Sequence, residues 1–123
     1  MGYALSAAAA YAAIDPSLTS PARGEAMVFA DVTRRLEAVF GDDRATASRK
    51  AAALHDNRRL WRAAAEACAG DDNAMPEALR VSLLGLAGFV ERHTSQVLEG
   101  SGEAAILCEI NRRVAAGLSA GAA

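Results

Sequence analysis

Met75 to Gly100 reads MPEALRVSLLGLAGFVERHTSQVLEG, and the fold class turns on this stretch. Pro76 opens it, a residue tolerated in a helix's first turn because the amide it lacks would be unpaired there. Gly100 closes it, the residue type that best adopts the left-handed turn ending a helix. Leu79, Leu83, Leu86, Val90 and Val97 share one helical face, while Val81, Leu84, Phe89 and Leu98 fall on others. A helix apolar nearly all the way round is a buried one. No residue from Val81 to Val90 is charged, yet that run is about half of the roughly 20 apolar residues a membrane span needs. The stretch therefore predicts the central helix of a small soluble bundle. Gly85 and Gly88 inside it each cost about 1 kcal/mol relative to alanine. Their spacing predicts a neighbouring helix packed at close range.

Working outward, the short run Tyr3, Ala7, Tyr11, Ile14 gives one stripe of an N-terminal helix, stopped by Asp15 and Pro16. Residues 1–20 are expected to form this helix and a linker. Ser20 and Pro21 are an N-cap and first-turn pair for a helix reaching about Phe40, with Phe29, Leu36 and Phe40 on its inner face. Asp42 to Thr46 offer caps for the next, whose stripe is Ala47, Ala51, Leu54, Asn57, Trp61, Ala64, Cys68. Asp71, Asp72 and Asn73 form a polar turn. Ser101 is a candidate cap for the last helix, with stripe Leu107, Asn111, Val114, Leu118 and a frayed tail over 119–123. The expectation is one all-α domain over 1–123, a compact bundle of four to five helices around the central helix at about 76–99.

The 123 residues are 52% hydrophobic, enough to build one core. A net charge of −2 gives no general attraction to nucleic acid or acidic membranes. Cys68 and Cys108 make no motif and read as packed, reduced thiols. No Lys or Arg precedes Arg23, so a basic signal region is lacking and a cytoplasmic location is expected.

Asn57 and Asn111 interrupt apolar stripes. A buried amide costs a few kcal/mol unless paired, so each either fixes helix register through a hydrogen bond or binds a partner. Thr94 and Ser95 are candidate bonding partners. Trp61, the one tryptophan, reads as core anchor or as partner hot spot. Arg58, Arg59 and Arg62, and the pair Arg112–Arg113, are diluted by Asp56, Glu66 and Glu109, which favours solvated faces over a phosphate site. His55 and His93 lack the spacing of zinc ligands. No nucleophile–base pair, phosphate loop or cofactor fingerprint occurs, so neither an enzyme nor a cofactor protein is expected.

The ordered runs Asn57-Arg58-Arg59-Leu60-Trp61, Asn73-Ala74-Met75-Pro76 with Leu79-Arg80, Glu91-Arg92-His93-Thr94 with Val97-Leu98, and Ile110-Asn111-Arg112 resemble the FlaF family of flagellar biosynthesis regulators. The Thr19-Ser20-Pro21 step and the tyrosine-containing, alanine-rich start resemble it too. In one departure, Ala22-Arg23 stands where the family pattern has Arg-Glu, which removes the acid of a capping box. The resemblance implies a non-enzymatic protein that binds flagellin in the cytoplasm as a secretion chaperone and supports its synthesis and export. It further implies a functional link to FlbT and to the export apparatus. Tyr11, Asn57, Arg58, Trp61, Arg92, His93, Thr94 and Asn111 are the candidate partner-binding residues. The alternative is a regulator that binds flagellin messenger RNA through the arginine clusters.

Overall fold

The computed structural model describes residues 21–70 and 76–121, and the described residues are helical throughout apart from turns. Four helices result: α1 (Pro21–Phe40), α2 (Ala47–Ala69), α3 (Glu77–Glu99) and α4 (Ala104–Gly121). The predicted N-terminal helix, including Tyr3, Tyr11 and Ile14, lies outside the described residues, as do Ser20 and the Asp71–Asn73 turn.

Local chemistry sets the ends. Pro21 is the first residue of α1, with no acidic residue in its first turn, as the missing capping box implies. The Thr46 side chain accepts from the Arg49 amide and caps α2. Pro76 stands at the N-cap of α3, one residue before the helix proper. Gly100 adopts φ 86°, and the Ser101 amide reaches back to the Gln96 carbonyl at 2.9 Å, closing α3 in a left-handed turn. Ser101 belongs to that turn rather than capping α4: its hydroxyl donates to Gln96 and α4 begins at Ala104. Gly102 leaves no room for a side chain, because a Cβ there would sit 3.0 Å from the Cβ of Gln96 and 3.2 Å from the His93 ring.

α1 packs mainly on α4, α2 on both α1 and α3, and α3 only lightly on α4. The backbones of α1 and α3 do not approach each other, so the helices form a ring of four with α1 opposite α3. The core comprises Phe29, Val32 and Leu36 from α1, Leu54, Leu60, Trp61 and Ala64 from α2, Val90 from α3, and Leu107 and Leu118 from α4. Ala47 and Ala51, the first two residues of the predicted α2 stripe, are exposed.

The all-α bundle matches the sequence expectation, but the central position assigned to helix 76–99 does not. Only Val90, His93 and Thr94 of α3 are buried. Leu83, Leu86 and Val97 lean on the core from the side, while Leu79, Val81, Leu84, Phe89 and Leu98 are exposed. The cause is geometric: α3 has α2 along one side and α4 near one end, so one face suffices to join the bundle. The neighbour predicted at Gly85 is not found among the described residues, since nothing lies within 4 Å of where its Cβ would be. At Gly88 the guanidinium of Arg92, 3.4 Å away, is the one contact.

Candidate partner-binding surface

α2 and α4 sit diagonally across the ring and meet through long side chains. The Trp61 indole N–H donates to Asn111 Oδ1 at 2.9 Å, and Asn111 Nδ2 donates to Asn57 Oδ1 at 2.7 Å. Both asparagines are 0% exposed and Trp61 is 2% exposed. The ring of Phe29 meets Trp61 edge-on, with centroids 5.3 Å apart. Asn57 Nδ2 is buried with no hydrogen-bond partner. The amides therefore find each other and the indole rather than Thr94 and Ser95. Thr94 instead bonds its own helix, donating to the Val90 carbonyl at 2.6 Å, and Thr33 does the same to Phe29.

The seam between α2 and α3 is polar. Arg58, 16% exposed at its side chain, pairs with Glu91 at 2.7 Å and donates to the Glu91 carbonyl and to Ser95 Oγ. Arg62 forks onto the same carboxylate at 3.1 and 2.7 Å. The hydrogen bond from Arg62, aided by the charge of Arg58, holds the Glu91 carboxyl below the usual carboxylate range. Because the folded-state pKa is depressed, this stabilisation is present above the unfolded value and is lost as pH falls through the folded one. Solvent screening keeps it small. Glu91→Gln should thus lower the urea midpoint slightly at neutral pH, and the gap to the native chain should close in acid. A gap independent of pH would show that the pair contributes through packing alone.

His93, nearly buried, donates from Nε2 to the Glu103 carbonyl at 2.9 Å and stacks on Phe89, which clamps the turn into α4. Cys68 and Cys108 are buried and form no disulfide. Burial pushes both thiols up, helped at Cys68 by the carboxylate of Glu25 and opposed by Arg80. They are poor nucleophiles. Among the described residues no three metal-ligating side chains gather, and no described helix is long and apolar enough to cross a membrane.

Of the predicted partner-binding residues that are described, Asn57, Trp61, His93, Thr94 and Asn111 lie in the interior, Arg58 lies in a seam, and Arg92 alone is exposed. Tyr11 lies outside the described residues. Of the arginine clusters, Arg58 and Arg62 share Glu91, Arg112 pairs with Glu37 and Glu109, and Arg113 pairs with Glu109, while Arg59 is exposed and makes no ion pair among the described residues. The surface that sequence reasoning missed is the outer side of α3. Its apolar residues were read as core, although their spread around the whole helix was the available sign.

The fold and these surfaces define a small helical-bundle protein whose conspicuous exposed feature is an apolar helix face. The family model for flagellar protein FlaF matches residues 7–118, nearly the whole chain, and the chain belongs to that family. No curated protein and no solved structure matches it.

Proposed function

We propose that this protein binds flagellin in the cytoplasm as a secretion chaperone, and so supports flagellin synthesis and export. The observation that carries the reading, beside family membership, is the exposed apolar face of α3: Val81 is 61% exposed, with Leu84 and Phe89 beside it at 37% and 38%. Such a face on a small protein marks an interaction site. Flagellin's terminal segments are amphipathic and unordered before assembly, and a helical partner can take the apolar side of each. Ordering the segment at binding offsets part of the gain, which keeps the complex reversible, as a cargo to be handed on requires. The functional links to FlbT and the export apparatus belong to the same reading.

Calorimetry against peptides of the two flagellin termini, at two temperatures and two salt concentrations, tests it. One peptide should bind with a negative heat-capacity change and weak salt dependence. If neither binds while flagellin messenger RNA binds with a steep salt slope, the chaperone reading is wrong and the protein is an RNA-binding regulator.

A further inference from the structure

The side of α3 that faces α4 is fixed by His93, whose ring donates to the Glu103 carbonyl. Leu86 and Leu79 precede His93 by seven and fourteen residues and Phe89 by four, so they lie on that side. On α4, Ile110 and Gly117 follow Glu103 by seven and fourteen, with Val114 between them. The two rows are opposite walls, which meet beside the Gly100 turn. Farther along, Leu79 and Phe89 are 37% and 38% exposed, and Leu86, Ile110 and Val114 are only partly buried. No described atom lies within 4 Å of where a Cβ of Gly117 would be. α3 and α4 are the most lightly packed neighbours in the ring. They enclose an open apolar groove between the N-terminal half of α3 and the C-terminal half of α4.

The open end of the groove is where the chain enters the bundle. Glu37, near the end of α1, pairs with Arg112 in the first half of α4, so these helices run antiparallel. Pro21 therefore lies beside the end of α4. Beyond the effect of burial, the Cys68 thiol near the end of α2 feels both Glu25 and Arg80. That brings the starts of α1 and α3 to the same end.

The twenty residues before Pro21 match the groove in charge and length. Its walls are uncharged from Val81 to Val90 and from Val114 to Gly121, so a charge laid between them would be desolvated without a partner. No side chain from Gly2 to Ile14 is charged, and the first charge of the chain is Asp15. As a helix, residues 3–14 extend roughly 18 Å, against roughly 15 Å from Leu79 to Phe89. Tyr3, Ala7, Tyr11 and Ile14 supply one apolar stripe, and the remaining alanines let the helix lie close between two others. Residues 16–20 span at most about 17 Å, more than the roughly 8–10 Å between packed neighbours such as α1 and α4. The family model matches from residue 7, so this segment belongs to the matched unit. A segment tethered by so short a linker is present at an effective concentration in the millimolar range, which favours it over a second copy of the chain.

We infer that residues 3–14 of this chain dock as a helix in the α3–α4 groove and turn the ring of four into a bundle of five. Val81 lies on the side of α3 away from the groove and stays exposed, so the inference does not rest on the flagellin reading.

Amide hydrogen exchange of the full chain tests it. A helix of about twelve residues is marginal in water, so slow exchange over residues 4–14 requires docking. The native chain should show it. Tyr11→Asp places a charge on the segment and Gly117→Leu a side chain in the groove; each should speed that exchange at least about tenfold while α1 to α3 keep their protection. Leu79→Asp probes the opposite wall with the same expectation, should Gly117→Leu loosen α4. Tyr11→Phe should keep the protection. A photo-crosslinking side chain introduced at Tyr11 should attach to α3 or α4 of the same chain. Fast exchange over 4–14 in the native chain overturns the inference, as does protection that Gly117→Leu and Leu79→Asp leave unchanged. Crosslinks to a second copy would make the groove an interface between chains. Crosslinks from position 79 to saturating flagellin, with residues 4–14 exchanging fast in its absence, would give the groove to flagellin instead.

Discussion

Trp61→Ala is expected to lower the unfolding free energy by about 3–5 kcal/mol, a large share of the roughly 5–15 kcal/mol available to a domain of this kind. Two losses combine. The indole fills the centre of the bundle at 2% exposure and meets Phe29 edge-on, so truncation leaves a cavity lined by the residues least able to close it. Its N–H also satisfies Asn111, whose Oδ1 would be left buried and unpaired. Trp61→Phe separates the terms, because it restores most of the volume but not the donor. It should cost about 1–3 kcal/mol. Trp61 is the chain's only tryptophan, so the melts are followed by circular dichroism rather than by fluorescence. An alanine variant with an unchanged midpoint and lost flagellin binding would mean that Trp61 reaches a partner rather than the core.

The helices were legible in the sequence because their ends are written in residues with few conformational options. Pro21, Thr46 and Gly100 each do what their chemistry dictates. Phe29, Leu36, Leu54, Trp61 and Leu107 are buried as their spacing requires. Helix α3 was misjudged for a physical reason. Apolar residues around a whole helix state that its surface prefers not to face water, but not which part of the molecule, or which partner, covers it. The same holds for Gly85 and Gly88, whose spacing predicts a closely packed neighbouring helix that the described bundle does not supply.

Arg58 illustrates a second limit. As one of three arginines near Trp61 it read as part of a solvated face, yet it threads the α2–α3 seam and donates to the backbone of Glu91. Residues 33 positions apart in sequence make that contact, and no local pattern encodes it. Its functional consequence is that Arg58 is committed to the seam, where it and Arg62 share the one carboxylate of Glu91. Arg92, one residue along and roughly 100° further round the helix, is exposed and makes no ion pair among the described residues.

Asn111→Leu reverses an expectation that the sequence alone supports. If a buried asparagine only sets register, a leucine of similar size is neutral or stabilising. In the structure, however, Asn111 serves two other groups, accepting from the Trp61 indole and donating to Asn57. Leucine strands both at full burial, at about 1–3 kcal/mol each, so the variant should lose about 2–6 kcal/mol. Adding Asn57→Leu removes one of the stranded groups and, with it, the Nδ2 that is unpaired even in the native chain. The double variant should therefore be more stable than Asn111→Leu alone, and a double-mutant cycle should return a coupling well above the few tenths of a kcal/mol of independent sites. Urea melts of the four proteins measure it. Additive losses would show that Asn57 and Asn111 act separately, whereas a positive coupling makes the asparagine pair and the indole one unit tying α2 to α4 across the bundle.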